Sequence, residues 1–111
     1  MDDAGKGWSA TVLAFNDEFM NQHPNKVKAF LRAVQKASDY INKNPDDARV
    51  TMNRECRMPD QLKQSFAIPR FPRLALPTPG QVVDVSQWLH QKGSIKKEMS
   101  YTQMVADGYL P

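Results

Sequence analysis

The stretch His23-Pro24-Asn25-Lys26-Val27-Lys28-Ala29-Phe30-Leu31-Arg32-Ala33-Val34-Gln35-Lys36-Ala37-Ser38-Asp39-Tyr40-Ile41-Asn42-Lys43 decides how this 111-residue chain is read. Val27, Phe30, Leu31, Val34, Ala37 and Ile41 recur at three- and four-residue steps, the period of one face of an α-helix. Lys26, Lys28, Arg32, Gln35, Lys36, Asp39 and Lys43 lie mostly on the opposite side. Pro24 suits the first helical position, where its missing N–H leaves no bond unmade. The spacing predicts a helix from Pro24 to about Lys43.

On the C-terminal side, Asn44-Pro45-Asp46-Asp47 predicts a second start, with a helix over 45–55 turning Ala48 and Met52 inward. Pro59-Asp60 predicts a further helix carrying Leu62 and Phe66 and stopped by Pro69. Residues 69–79 hold four prolines, too many for a helix, so an extended connector is expected, with Phe71, Leu74 and Leu76 packing on the helices. Thr78-Pro79-Gly80-Gln81 has the spacing of a capping box and opens a helix with Val82, Val85 and Leu89 on one side and Trp88 at the edge, ending at Gly93. Ser100-Tyr101-Thr102-Gln103 repeats the box for a short last helix with Met104 and Val105.

On the N-terminal side, Asn16-Asp17-Glu18 is a cap with an acidic first turn, opening a short helix that ends before Pro24. Thr11-Val12-Leu13-Ala14-Phe15 is an apolar run of strand formers and predicts one short strand at 10–15. Residues 1–9, small, charged and glycine-bearing, read as a flexible N-terminal segment. The fold class is therefore mainly α with one short strand, in a single segment over 10–111.

Composition narrows function by exclusion. The hydrophobic content of 41% supports one small core, and the formal charge of +3 comes from 15 Lys and Arg scattered among 12 Asp and Glu. A nucleic-acid stripe gathers cations on one face with aromatics between them, so no nucleic-acid partner is expected. No apolar run approaches the length of a membrane span. Met1–Gly7 has no apolar leader segment, so an export signal is expected upstream if the protein acts outside the cytoplasm.

Catalytic and metal chemistry find little footing. His23 and His90 are the only histidines and are too far apart for a local metal motif, and Cys56 is the only cysteine, so no internal disulfide can form. Asp46-Asp47 and Asp2-Asp3 are adjacent carboxylates, at a helix start and a chain end that favour acids anyway. Gly-rich phosphate loops and nucleophile elbows are absent from the 111 residues. No catalytic residue, metal site or cofactor is expected. Among Trp8, Trp88, Tyr101 and Tyr109, which have rings able to stack on a ligand, Trp88 suits helix packing. Trp8, in a Gly- and Ser-containing stretch, suits either a tail or a ligand contact, so Trp8 and Ser9 are the candidate ligand-binding residues.

Four stretches, in order, resemble the C-terminal region of nitrate/sulfonate/taurine-type substrate-binding proteins of ABC transporters, the group that includes the NMT1/THI5-like pyrimidine-precursor domains. They are Thr11-Val12-Leu13-Ala14-Phe15-Asn16-Asp17-Glu18-Phe19; His23 to Ala33, similar to P-x-x-V-K-A-F-L-x-A; Ala37 to Ala48, similar to A-x-x-Y-I-x-x-N-P-x-x-A; and Trp88 to Lys97, similar to L-x-x-x-G-x-I. The resemblance implies the C-terminal part of a two-lobe α/β periplasmic-binding-protein fold, the ligand being held between lobes that lie upstream. It implies a periplasmic or extracellular solute-binding component of an importer, with a small-molecule ligand and a membrane permease as partners, and no enzyme. The enzymatic branch of the group, which makes a pyrimidine precursor of thiamin, is disfavoured because its His- and Cys-containing signature is not seen. A free-standing helical protein-interaction module is the alternative. A strand without its sheet leaves backbone groups unpaired. The isolated chain is therefore expected to self-associate by pairing or swapping residues 10–15, and light scattering giving a clean monomer at high dilution overturns this.

Overall fold

A computed structural model describes residues 11–111. Five α-helices follow in order: α1 Asp17–Gln22, α2 Pro24–Lys43, α3 Pro45–Glu55, α4 Pro79–Gln91 and α5 Tyr101–Met104, with a 3-10 turn at Asp60–Leu62. The chain divides into two compact units, one built from the segments before Lys28 and from Ala75 to Leu110, the other from Lys28–Leu74.

Three helix starts carry the expected side-chain caps, whereas α3 starts at Pro45 without one, the Asn44 side chain donating to Tyr40 O instead. The Asn16 side chain accepts from the Phe19 amide at 3.0 Å. Thr78 and Ser100 both form complete capping boxes, with Gln81 and Gln103 bonding back to the cap amides. Helix α4 ends in a Schellman motif: Ser94 N–H donates to Leu89 O at 2.9 Å and Gly93 N–H to His90 O at 3.0 Å, with Gly93 at φ 79°. Helix α3 ends with Met58 N–H on Asn53 O at 3.1 Å, which puts Arg57 at φ 49°, a left-handed position that glycine adopts more readily.

Three sequence expectations change. No strand forms among the described residues, including Thr11–Phe15. A strand exists only through a ladder with another strand, and the described chain supplies no second one. The helix expected after Pro59 shortens to the 3-10 turn, because the carbonyls a longer helix would use are taken by side chains. Arg49 donates to Lys63 O at 3.4 Å and Phe66 O at 2.7 Å, and Asn53 Nδ2 to Lys63 O at 3.3 Å. The segment is also too short to nucleate a helix well on its own.

The third change is the buried face of α2. Within the helix, Val27, Leu31, Gln35 and Ser38 are buried, while Phe30, Ala33, Ala37 and Tyr40 are exposed. The inward face is rotated off the predicted apolar stripe toward two side-chain amides. In the Lys28–Leu74 unit, Asn42 Oδ1 accepts from Phe71 N–H at 2.9 Å and its Nδ2 donates to Phe71 O at 2.7 Å. One step further along, Gln35 Oε1 accepts from Leu74 N–H at 2.8 Å. The lengths agree: seven residues of helix rise about 10 Å, and three residues of extended chain cover about 10 Å. The proline-rich connector thus runs antiparallel to α2 and takes from it the hydrogen bonds a sheet would supply.

The other unit repeats the device. Ser86, 1% exposed, accepts from Met99 N–H at 2.7 Å, and Tyr101 OH donates to Pro77 O at 2.7 Å. Helix α4 consequently buries Val82 and Ser86 with Leu89 half-buried, and Val85, expected inside, is exposed. Replacing Asn42 with alanine strands both polar groups of Phe71 and is expected to cost about 1–3 kcal/mol. Urea unfolding measures the loss, and faster amide exchange at Phe71 than at the helix interior locates it.

Candidate functional site

The candidate ligand residues Trp8 and Ser9 lie outside the described residues. So do Asp2 and Asp3, and the other residues weighed are dispersed over the described chain. The His23 ring lies 5.1 Å from that of Phe19, centre to centre, at the junction of α1 and α2. His90 Nδ1 stands 3.9 Å from Glu98 Oε2 at the end of α4, both side chains exposed. Cys56 is an exposed free thiol at the end of α3. Asp46 and Asp47 form the acidic first turn of α3. Among the described residues no group of three His, Cys, Asp or Glu side chains could hold a metal ion, and no helix is long and apolar enough to cross a membrane.

The concave surface of the Lys28–Leu74 unit is a wedge between α2 and α3 of about 490 Å³, lined by Ala33, Lys36, Ala37, Tyr40, Ile41, Ala48, Thr51 and Met52. Its origin is the rotation of α2: with Gln35, Ser38 and Asn42 turned to the connector, Ala33, Ala37 and Tyr40 are carried outward. The helix junction forms one end. Asn44 N–H and Nδ2 both donate to Tyr40 O, at 2.8 and 3.0 Å, and Tyr40 OH donates to Asp47 Oδ2 at 3.1 Å across the Asn44-Pro45 corner. The wedge has an apolar floor, one lysine at its edge and one phenol.

In the other unit, α4 carries a shallow groove of about 520 Å³ along Asp84, Val85, Gln87, Trp88 and Gln91. Trp88 is 55% exposed, not packed as its place on the helix suggested, and Lys92 Nζ sits 4.5 Å from its ring centre. The wedge thus exposes its apolar floor beside the Tyr40–Asp47 hydrogen bond, and the α4 groove exposes Val85 and Trp88 between polar side chains.

Two exposed groups titrate away from their ordinary ranges. The hydrogen bond to Asp47, and then its negative charge, raise the Tyr40 phenol. The hydrogen bond and charge of Lys63, 2.8 Å away, lower Asp60. The signs follow from linkage: the Tyr40 contribution is present below the ordinary tyrosine range and lost as pH rises through the raised value. That of Asp60 is present above its ordinary value and lost as pH falls through the lowered one.

The helical stretch that organises the fold also carries the likeness to known proteins. Residues 1–48 match the family model described as NMT1/THI5 like. The NMT1/THI5-like stretch takes in α1, α2 and the first residues of α3, and the fourth stretch of the resemblance, Trp88 to Lys97, lies beyond it. Two relatives from Saccharomyces cerevisiae (strain ATCC 204508 / S288c), the 4-amino-5-hydroxymethyl-2-methylpyrimidine phosphate synthases THI12 and THI5, are each 50% identical over 36 residues. Those residues are 32% of this chain and 11% of each relative, which is therefore about three times as long. No solved structure matches the chain. The expectation of no enzyme is overturned by these matches, whose relatives are named as synthases, over a short part of their length. The matched residues are 11% of each relative, so a catalytic signature missing from this stretch says nothing of the whole.

The Tyr40–Asp47 bond and the inward amides escaped the sequence reading. The only signal for the amides was Gln35 and Asn42 seven residues apart, beside the apolar stripe. An alkaline titration followed by tyrosinate absorbance is expected to place the Tyr40 phenol above the ordinary range, and Asp47→Asn is expected to lower it. An unchanged titration in that variant removes the Tyr40–Asp47 assignment.

Proposed function

We propose that this chain is the C-terminal helical part of an NMT1/THI5-like protein whose whole length binds a pyrimidine-type small molecule between two α/β lobes. The observation carrying the reading is the 50% identity over 36 residues to the yeast pyrimidine phosphate synthases. In this reading α1, α2 and the capped helices after them are struts, and the reacting groups belong to the lobes. The best-supported activity of the whole protein is synthesis of a pyrimidine phosphate of the kind those relatives are named for.

A second reading rests on the ordered resemblance that continues beyond residue 48: a solute-binding component of an ABC importer, periplasmic or extracellular, that delivers its ligand to a membrane permease. Both readings use the same struts and differ in what the lobes do with the ligand.

The test uses the chain together with any reading frame continuous with it. Expressed in yeast lacking the pyrimidine phosphate synthases, the extended protein is expected to restore growth without added thiamin. Failure to restore growth, combined with thermal stabilisation by a sulfonate, nitrate or pyrimidine, moves the assignment to the importer. Failure of both, or a frame with no lobe upstream, overturns the proposal.

A further inference from the structure

The charges around the wedge are partitioned. The Lys28–Leu74 unit holds ten Lys and Arg against five Asp and Glu. Two of those acids are ion-paired, Glu55 with Arg54 at 2.7 Å and Asp60 with Lys63 at 2.8 Å, while Asp39 and Asp47 accept from the neutral Gln35 amide and Tyr40 phenol and keep their charge, leaving eight cations against three acids outside ion pairs. On the cationic side, Arg32, Lys36 and Lys43 of α2 form no ion pair among the described residues. Lys36 lines the wedge, and Arg32 lies one turn before it on the same side of the helix. The floor between α2 and α3 is Ala33, Ala37, Ile41, Ala48 and Met52. Small side chains over two turns let a partner's backbone approach closely, and the unneutralised edge selects the sign of its charge.

We propose that this wedge docks an amphipathic helix with acidic flanks, its apolar residues against the alanine floor and its carboxylates along Arg32, Lys36 and Lys43. Helix-in-groove recognition places apolar anchors at three- and four-residue steps, with flanking charges giving orientation and rate more than affinity. A basic or neutral helix gains the same floor and meets uncompensated cations. The proposal does not rest on the activity of the whole protein, because the wedge lies within one unit and uses only residues 32–52.

The test measures binding of two labelled synthetic helical peptides to the full chain by fluorescence anisotropy. Both have the same leucine face; one is flanked by glutamates, the other by lysines. The glutamate peptide is expected to bind, with affinity falling as salt rises, and the lysine peptide is not. Lys36→Glu is expected to weaken the glutamate peptide about tenfold and to admit the lysine peptide. Ala37→Arg, which fills the floor, abolishes binding; circular dichroism reports whether that variant folds, and Lys36→Glu, at an exposed position, carries the test if it does not. Equal binding of both peptides, no binding of the glutamate peptide, or an unchanged Lys36→Glu variant overturns the proposal. So does sedimentation showing a dimer that the glutamate peptide dissociates, which assigns the wedge to a second copy of this chain.

Discussion

A proline-rich segment that belongs to no sheet must still satisfy its backbone amides, and the described fold is arranged around that requirement. Buried or half-buried N–H groups left unpaired cost more than most single contacts return. Here the partners are helix side chains. Asn42 and Gln35 hold Phe71 and Leu74, Arg49 and Asn53 hold the carbonyls of Lys63 and Phe66, and Ser86 holds the amide of Met99. The matched rise of helix and connector makes the first pair act as a two-point splint.

The requirement also decides which faces stay wet. Turning Gln35, Ser38 and Asn42 inward takes α2 off its most apolar face, and turning Ser86 inward does the same to α4. Side chains that a hydrophobicity argument would bury are displaced to the surface: Tyr40 is 51% exposed, Val85 41% and Trp88 55%. Five apolar side chains, Met20, Val27, Leu31, Ala48 and Val82, make up the buried apolar set among the described residues. So few buried apolar side chains are supplemented by directed hydrogen bonds and by side-chain caps at Asn16, Thr78 and Ser100.

This economy explains why kinship and chemistry separate in this chain. The NMT1/THI5-like stretch covers residues 1–48, where a strong helical period and two cap motifs sit close together. A missing catalytic signature in so short a stretch does not bear on the whole protein, and the synthase names of the yeast relatives overturn the expectation of no enzyme.

What the sequence determined by itself was everything governed by neighbours in the chain. Asn16, Thr78 and Ser100 cap helices because a side-chain oxygen reaches an amide three residues on, Gly93 ends α4 because it tolerates a positive φ, and prolines at 69, 72 and 77 exclude a helix whatever surrounds them. Only the tertiary structure decided which side of each helix faces in, that Thr11–Phe15 forms no strand, and that the segment after Pro59 stops at one 3-10 turn. The helix faces depend on partners far along the chain, Phe71 for Asn42 and Met99 for Ser86, and a strand at Thr11–Phe15 needs a second one that the described residues do not supply. Periodicity records how apolar a helix face is, but not whether an unpaired backbone amide waits opposite a glutamine, and here the amide won.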